Sequence, residues 1–159
     1  MIHSGEAPDF DLPALDGGRQ KLTEQLAAGP VLLVFFKTTC PTCQLTLPFL
    51  DRLGRGRAAD APRVVAISQD DAATTRDFNK RYGISLPMLL DPFAGVSARY
   101  PASNAYGLTH VPSLFLIGQD RRIISSVTGF DRAEIAKLGA RFGVEVFTAG
   151  DRVPVYQPG

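Results

Sequence analysis

The sequence has no tryptophan, and only two cysteines, two histidines and two methionines among 159 residues. Each scarcity removes a class of function. Structural zinc takes four protein ligands. The two histidines, His3 and His110, belong to no close pair, and a second half-site is missing, so the cysteines do not read as half of a zinc finger. Charge of one sign is not in excess: the formal net charge is +1, which points to neither nucleic acid nor an anionic surface. No apolar run approaches the ~20 residues that span a bilayer. The opening residues, Met1 to Pro8, lack the apolar core of a signal peptide. As written, the chain is expected to be cytoplasmic, or exported if a leader has been trimmed.

What is present centres on one stretch. Val31-Leu32-Leu33-Val34-Phe35-Phe36 reads as a buried strand. Lys37-Thr38-Thr39 follows, then Cys40-Pro41-Thr42-Cys43. Beyond them Leu47, Leu50 and Leu53 fall at helical spacing. The cysteine pair therefore lies on a strand-to-helix turn, with Cys40 near the helix N-terminus. The unpaired N–H groups and partial positive charge there favour a thiolate. A free thiol titrates near ~8.5, and such positions lower it to roughly 3.5–7.5. Cys43, one turn further on, is the candidate resolving thiol. A merely structural disulfide is the other competing reading of the pair.

The remaining pattern predicts a single domain over 1–159, with an arm at 1–8 and an extension at 144–159. Phe10 and Leu12 suggest a short strand, Asp16-Gly17-Gly18 a turn, and Arg19 to Leu22 a returning strand. Thr23 is the expected cap of a brief helix over Glu24 to Ala28. Pro41 suits a first helical turn, whereas Pro48 falls inside the helix and removes a hydrogen bond. Arg63 to Ser68 is the next strand, and Asp70 or Asp71 caps a helix that Gly83 stops near Tyr82. Met88 to Leu90 is a short strand. A helical turn is expected over Gly95 to Tyr100, broken by Pro101, and another over Ser103 to Tyr106. Ser113 to Ile117 and Arg122 to Thr128 pair as a hairpin, and Asp131 caps a helix over Arg132 to Phe142. Val144, Val146, Val153 and Val155 alternate, suggesting an edge strand or a docked tail. Alternating βα units imply a parallel core, to which the hairpin adds antiparallel strands.

This ordered set resembles the thioredoxin fold, in its redoxin branch of TlpA/ResA-type thiol–disulfide oxidoreductases and AhpC/TSA-related peroxiredoxins. The resemblance covers roughly residues 6–142. It is carried by Ala7-Pro8-Asp9-Phe10 with Leu12 and Gly17, by Phe35-Phe36 before Cys40-Pro41-Thr42-Cys43, and by Pro48. Further along it is carried by Tyr82-Gly83-Ile84, Leu86 to Asp91, Tyr106-Gly107-Leu108 and Val111 to Ile117. It implies an α/β three-layer sandwich with a mixed central sheet: a parallel βαβ core, then a C-terminal antiparallel hairpin plus helix. It implies Cys40 and Cys43 as catalytic residues, their reversible disulfide being the redox centre, with no other cofactor and no metal. It also implies a cis peptide before Pro112, facing the cysteines, with the Val111 backbone free to pair with a substrate strand. The expected partners are a disulfide- or dithiol-containing protein and a thiol electron donor.

The departures from the family pattern are specific. Thr39 stands where the family usually has tryptophan, Thr46 where the exported branch often has glutamate, and Val34 where thioredoxins carry a buried aspartate. The usual proton-handling carboxylate is thus missing, and Glu6, Asp70 or a water is left to replace it. Lys37 and Leu33 occupy the positions where a peroxiredoxin needs threonine and proline, which disfavours the peroxidase alternative. Lys37 is a candidate cation favouring the Cys40 thiolate. His110, just before Val111-Pro112, could donate to that thiolate, or join both cysteines in a Cu(I) site as the chaperone alternative requires. For each of these two residues an exposed loop side chain is the competing reading, and the favoured one.

Overall fold

The computed structural model describes residues 1–91 and 101–159. Its frame is a five-stranded sheet in the order β5-β4-β3-β6-β7. Strands β3 (Val31–Phe36), β4 (Arg63–Ser68) and β5 (Met88–Leu90) run parallel, while β6 (Ser113–Ile117) and β7 (Ile123–Thr128) are antiparallel additions. All six residues of β3 are buried. A central strand covered on both faces cannot alternate polar and apolar residues, hence its unbroken apolar sequence.

Two half-cores sandwich this strand. Leu32, Val34 and Phe36 pack with Leu47, Leu50 and Leu53 of helix α2 (Pro41–Gly56). Phe78 of α3 (Ala72–Tyr82) and Ile135, Leu138 and Phe142 of α5 (Arg132–Phe142) complete that side. Leu33 and Phe35 face the other way. They meet Leu22 and Leu26 of α1 (Leu22–Ala27), Leu12 of the hairpin β1 (Asp11–Pro13)–β2 (Arg19–Lys21), and Tyr106. Tyr106 sits 5.2 Å from the Phe35 ring and donates its phenol to the Pro8 carbonyl at 2.9 Å, which ties the N-terminal arm down. This is the expected thioredoxin-like sandwich.

Most helix limits follow the sequence reading. Asp71 caps α3 by accepting Thr74 N–H at 2.8 Å, Gly83 ends it with φ of 67°, and Asp131 caps α5. One expectation is corrected. Thr23 does not cap α1, whose cap position is Lys21. Thr23 instead gives its N–H and hydroxyl to Asp9, reaching in from the arm, and Glu24 accepts Lys21 N–H. Helix α4 (Pro101–Ala105) begins two residues before the turn expected from Ser103. The preceding turn expected over 95–100, and with it the expected break at Pro101, lies outside the described residues. Of the two alternatives for the valines after 143, the segment takes the docked tail, with Val144, Val146 and Val153 on the core. Val146 is buried while Val155 is 77% exposed, and the segment's ladder is confined to β9 (Tyr156–Gln157) against β8 (Phe130–Asp131).

The register sets where chemistry can occur. Phe36 pairs with Ser68 of β4, and Phe35 with Ser113 of β6. The ends of β3 and β4 and the beginning of β6 therefore reach the same edge of the sheet. The turn after β3, the loop after β4 and the loop before β6 converge there.

Candidate active site

Cys40 is the N-cap residue of α2, with extended backbone at φ of −82° and ψ of 117°. That geometry lets its side chain do what a capping oxygen does elsewhere: Sγ accepts Cys43 N–H at 3.2 Å. Pro41 occupies the next position, where no N–H is wanted. The turn is held from below by Cys40 N–H on the Lys37 carbonyl at 3.2 Å, and from the side by the Gln44 amide on the Thr38 carbonyl at 2.9 Å. Cys40 is half-buried and Cys43 fully buried, and both are free thiols.

Their environments differ in the sense an exchange reaction needs. Burial pushes the Cys43 thiol far up from its ordinary value of 9.0. A hydrogen bond with the Cys40 sulfur pushes the same way, the Lys37 backbone opposes it, and the charge of Asp70 adds a smaller push upward. Cys43 thus keeps its proton in the resting protein. Cys40 is the accessible sulfur and has a backbone donor already aimed at it.

The loop before β6 supplies the opposite wall. The Val111–Pro112 peptide is cis, and the Cys40 thiol lies 3.4 Å from the Val111 carbonyl, to which it donates. Ser113 closes this loop by donating to the His110 carbonyl at 2.8 Å. A cleft of about 150 Å³ lies beside Val111, with Gln69, Ser103 and His110 in its wall.

The register separates the two candidate carboxylates. Asp70 follows β4 on the cysteine edge, and its Oδ2 accepts Thr38 N–H at 2.7 Å. Glu6 bridges Arg122 and pairs with Arg121, beyond the far end of β6. Five strand residues at about 3.3 Å each keep it on the order of 16 Å from the dithiol edge. Asp70 is accordingly the carboxylate whose charge reaches Cys43. Thr46 cannot stand in for one, since its hydroxyl is buried against the Thr42 carbonyl of its own helix at 2.6 Å.

The other candidates are placed as follows. Lys37 is half-buried, and its backbone holds the turn. His110 is exposed, with Nδ1 3.0 Å from the Thr109 hydroxyl. Among the described residues no three histidine, cysteine or acidic side chains converge, so Cys40, Cys43 and His110 do not assemble as a ligand set. No described helix is long and apolar enough to cross a membrane.

One contact was not legible beforehand. Thr42, between the cysteines, donates its hydroxyl to the Pro158 carbonyl at 2.6 Å and accepts the Gln157 side-chain amide at 2.8 Å. Residues 156–159 therefore lie along the cysteine turn.

A mixed sheet with a dithiol at a helix N-terminus, facing a cis-proline loop, defines the thioredoxin-like class of redox proteins. Within that class, the profile of the AhpC/TSA family matches residues 4–126, and the chain belongs to this family. It is similar to the thiol-disulfide oxidoreductase ResA of Geobacillus thermodenitrificans, 27% identical over 77% of this chain and 67% of the relative. It is equally similar to ResA of Bacillus subtilis, 27% identical over 81% of this chain and 69% of the relative. Among solved structures it resembles a candidate thiol:disulfide interchange protein DsbE from Chlorobium tepidum, with TM-score 0.75 and 22% identity over 92% of this chain and 99% of that one.

Proposed function

We propose that the protein exchanges disulfides with protein substrates, Cys40 attacking and Cys43 resolving. The observation that carries this is the asymmetry of the pair. One sulfur is accessible and receives a backbone hydrogen bond; the other is buried and holds its proton.

The chemistry balances without any further group. The Cys40 thiolate attacks one sulfur of a substrate disulfide. That S–S bond breaks, the distal substrate sulfur leaves as a thiolate and takes up a proton, and a mixed disulfide joins Cys40 to substrate. Cys43 then loses its proton and attacks the Cys40 sulfur. The Cys40–Cys43 disulfide forms, and the substrate departs as a dithiol carrying two electrons. A thiol donor returns the pair to the reduced state by the same steps in reverse. Cys43 holds its proton in the resting pair chiefly because it is buried, and secondarily because the Cys40 sulfur beside it opposes a second charge.

Val111 and Pro112 are the proposed substrate contacts. A strand laid against the Val111 backbone brings its sulfur to Cys40, since Val111 O already touches that sulfur. The test is insulin reduction by the parent chain and by Cys40→Ser and Cys43→Ser, with Cu(I) binding measured alongside. Turnover in the parent, lost in both variants, supports the reading. Tight copper binding with no turnover overturns it in favour of a metal carrier.

A further inference from the structure

The edge a substrate strand would use already has an occupant from the same chain. Three contacts place residues 156–159 there. Thr42 holds Pro158 and Gln157 by the two hydrogen bonds already described. Gly159 lies so close to Val111 that a Cβ on it would fall on the Val111 carbonyl, the same atom that accepts the Cys40 thiol. Gly129 forms the floor: its N–H donates to the Pro112 carbonyl at 2.8 Å, and a Cβ on it would lie 2.6 Å from the Gln157 carbonyl. Glycine is required at Gly129 for this approach, and its φ of 74° adds a second reason.

The segment is attached firmly at one end and lightly at the other. Upstream, Val146 is buried against Gly139, and Arg52 binds Asp151 at 2.7 Å and the Val146 carbonyl at 3.2 Å. Downstream, Val155 is 77% and Tyr156 53% exposed. Among the described residues, what holds 156–159 is a two-residue ladder and the bonds to Thr42, with Arg132 N–H on the Val155 carbonyl at 3.0 Å just upstream. A surface piece with few buried contacts opens at low free energy, while its tether keeps it at high effective concentration.

We propose that Tyr156–Gly159 is a resident occupant of the groove that reads substrate, a strap that an extended protein strand must displace to reach Val111 and Cys40. The inference rests on the exchange reaction above. It predicts discrimination by size: a small disulfide reaches Cys40 past the strap, whereas a folded protein's disulfide loop reaches it once the strap has left.

Three forms of the reduced protein test this: the parent, the chain without residues 156–159, and Gly159→Val, which cannot seat against Val111. Each is assayed with insulin and with hydroxyethyl disulfide. Each is also alkylated at Cys40 with iodoacetamide and with a polymer-linked maleimide. Opening the groove is expected to raise insulin turnover and polymer-maleimide alkylation on the order of tenfold, the scale of one or two hydrogen bonds. Rates with the two small reagents should stay within about twofold, well below the tenfold step that 1.4 kcal/mol represents. A synthetic peptide spanning residues 153–159 should restore inhibition to the shortened chain. Unchanged or lower rates with the large reagents overturn the strap, a fall showing that these residues help bind substrate. If the shortened chain does not fold, Gly159→Val decides. Absence of insulin turnover in every form refutes the exchange reading, and the alkylation rates still judge the strap.

Discussion

The carboxylate of Asp70 accepts the backbone N–H of Thr38 at 2.7 Å, and its charge acts on Cys43. The loop after β4 is thereby fastened to the turn after β3, with a negative charge fixed beside the buried sulfur. Asp70→Asn removes that charge and keeps an acceptor for Thr38. The alkylation profile of Cys43, read in a Cys40→Ser background, should move to lower pH on adding Asp70→Asn. A profile that does not move contradicts the role given to Asp70.

Burial of Cys43 also makes a statement about stability. Its thiol is raised in the folded state above the ordinary 9.0, so the folded chain holds this proton more tightly than the unfolded one. The resulting stabilisation is complete below pH 9 and is lost as pH rises above it. Unfolding free energy of the reduced protein should fall by about 1 kcal/mol between pH 9 and 10, steepening toward about 1.4 kcal/mol per unit above that. Tyr106, raised by burial from 10.0, adds a loss of the same sign above that pH. Urea titrations between pH 9 and 10 should show the slope in the parent and a much flatter one in Cys43→Ala. Equal slopes would contradict the burial argument.

Asp91 is fully buried and accepts Ala102 N–H at 3.0 Å, Ser103 N–H at 2.8 Å and the Ser103 hydroxyl at 2.5 Å. It is the anchor of α4, which leads into the cis-proline loop. Asp91→Ala strands three donors and should destabilise the protein by about 2–4 kcal/mol. A loss below about 0.5 kcal/mol, the size of an ordinary surface substitution, would show that α4 is held by other contacts.

His110 is exposed, with its ring toward Thr109. His110→Gln should leave insulin turnover within about twofold, far from the tenfold that 1.36 kcal/mol of barrier represents. A larger loss would restore His110 as a group acting on the Cys40 sulfur.

Much of this arrangement is visible in the residues themselves, for identifiable reasons. Strand β3 is apolar throughout because both its faces are covered, and α5 carries Asp131 at one end and Gly143 at the other. The cysteine turn is local in sequence, so its place at a helix N-terminus follows from the elements on either side. What needs coordinates is what comes from afar. The start of α1 depends on Asp9, fourteen residues before Thr23. The choice of Asp70 over Glu6 depends on strand register, which puts them at opposite ends of the sheet. The valines after 143 follow the period of a strand, yet the segment docks by single side chains. The need for glycine at 129 is apparent only once residues 157–159 are seen lying across it.

The division of labour between the cysteines is tested most directly by trapping. Reduced Cys43→Ser and Cys40→Ser variants are each mixed with a disulfide-bonded peptide, and the adducts are mapped by mass spectrometry. The account predicts a stable one-to-one mixed disulfide on Cys40 in Cys43→Ser, and none on Cys43 in Cys40→Ser at neutral pH. An adduct forming readily on Cys43, or none on Cys40, would contradict it.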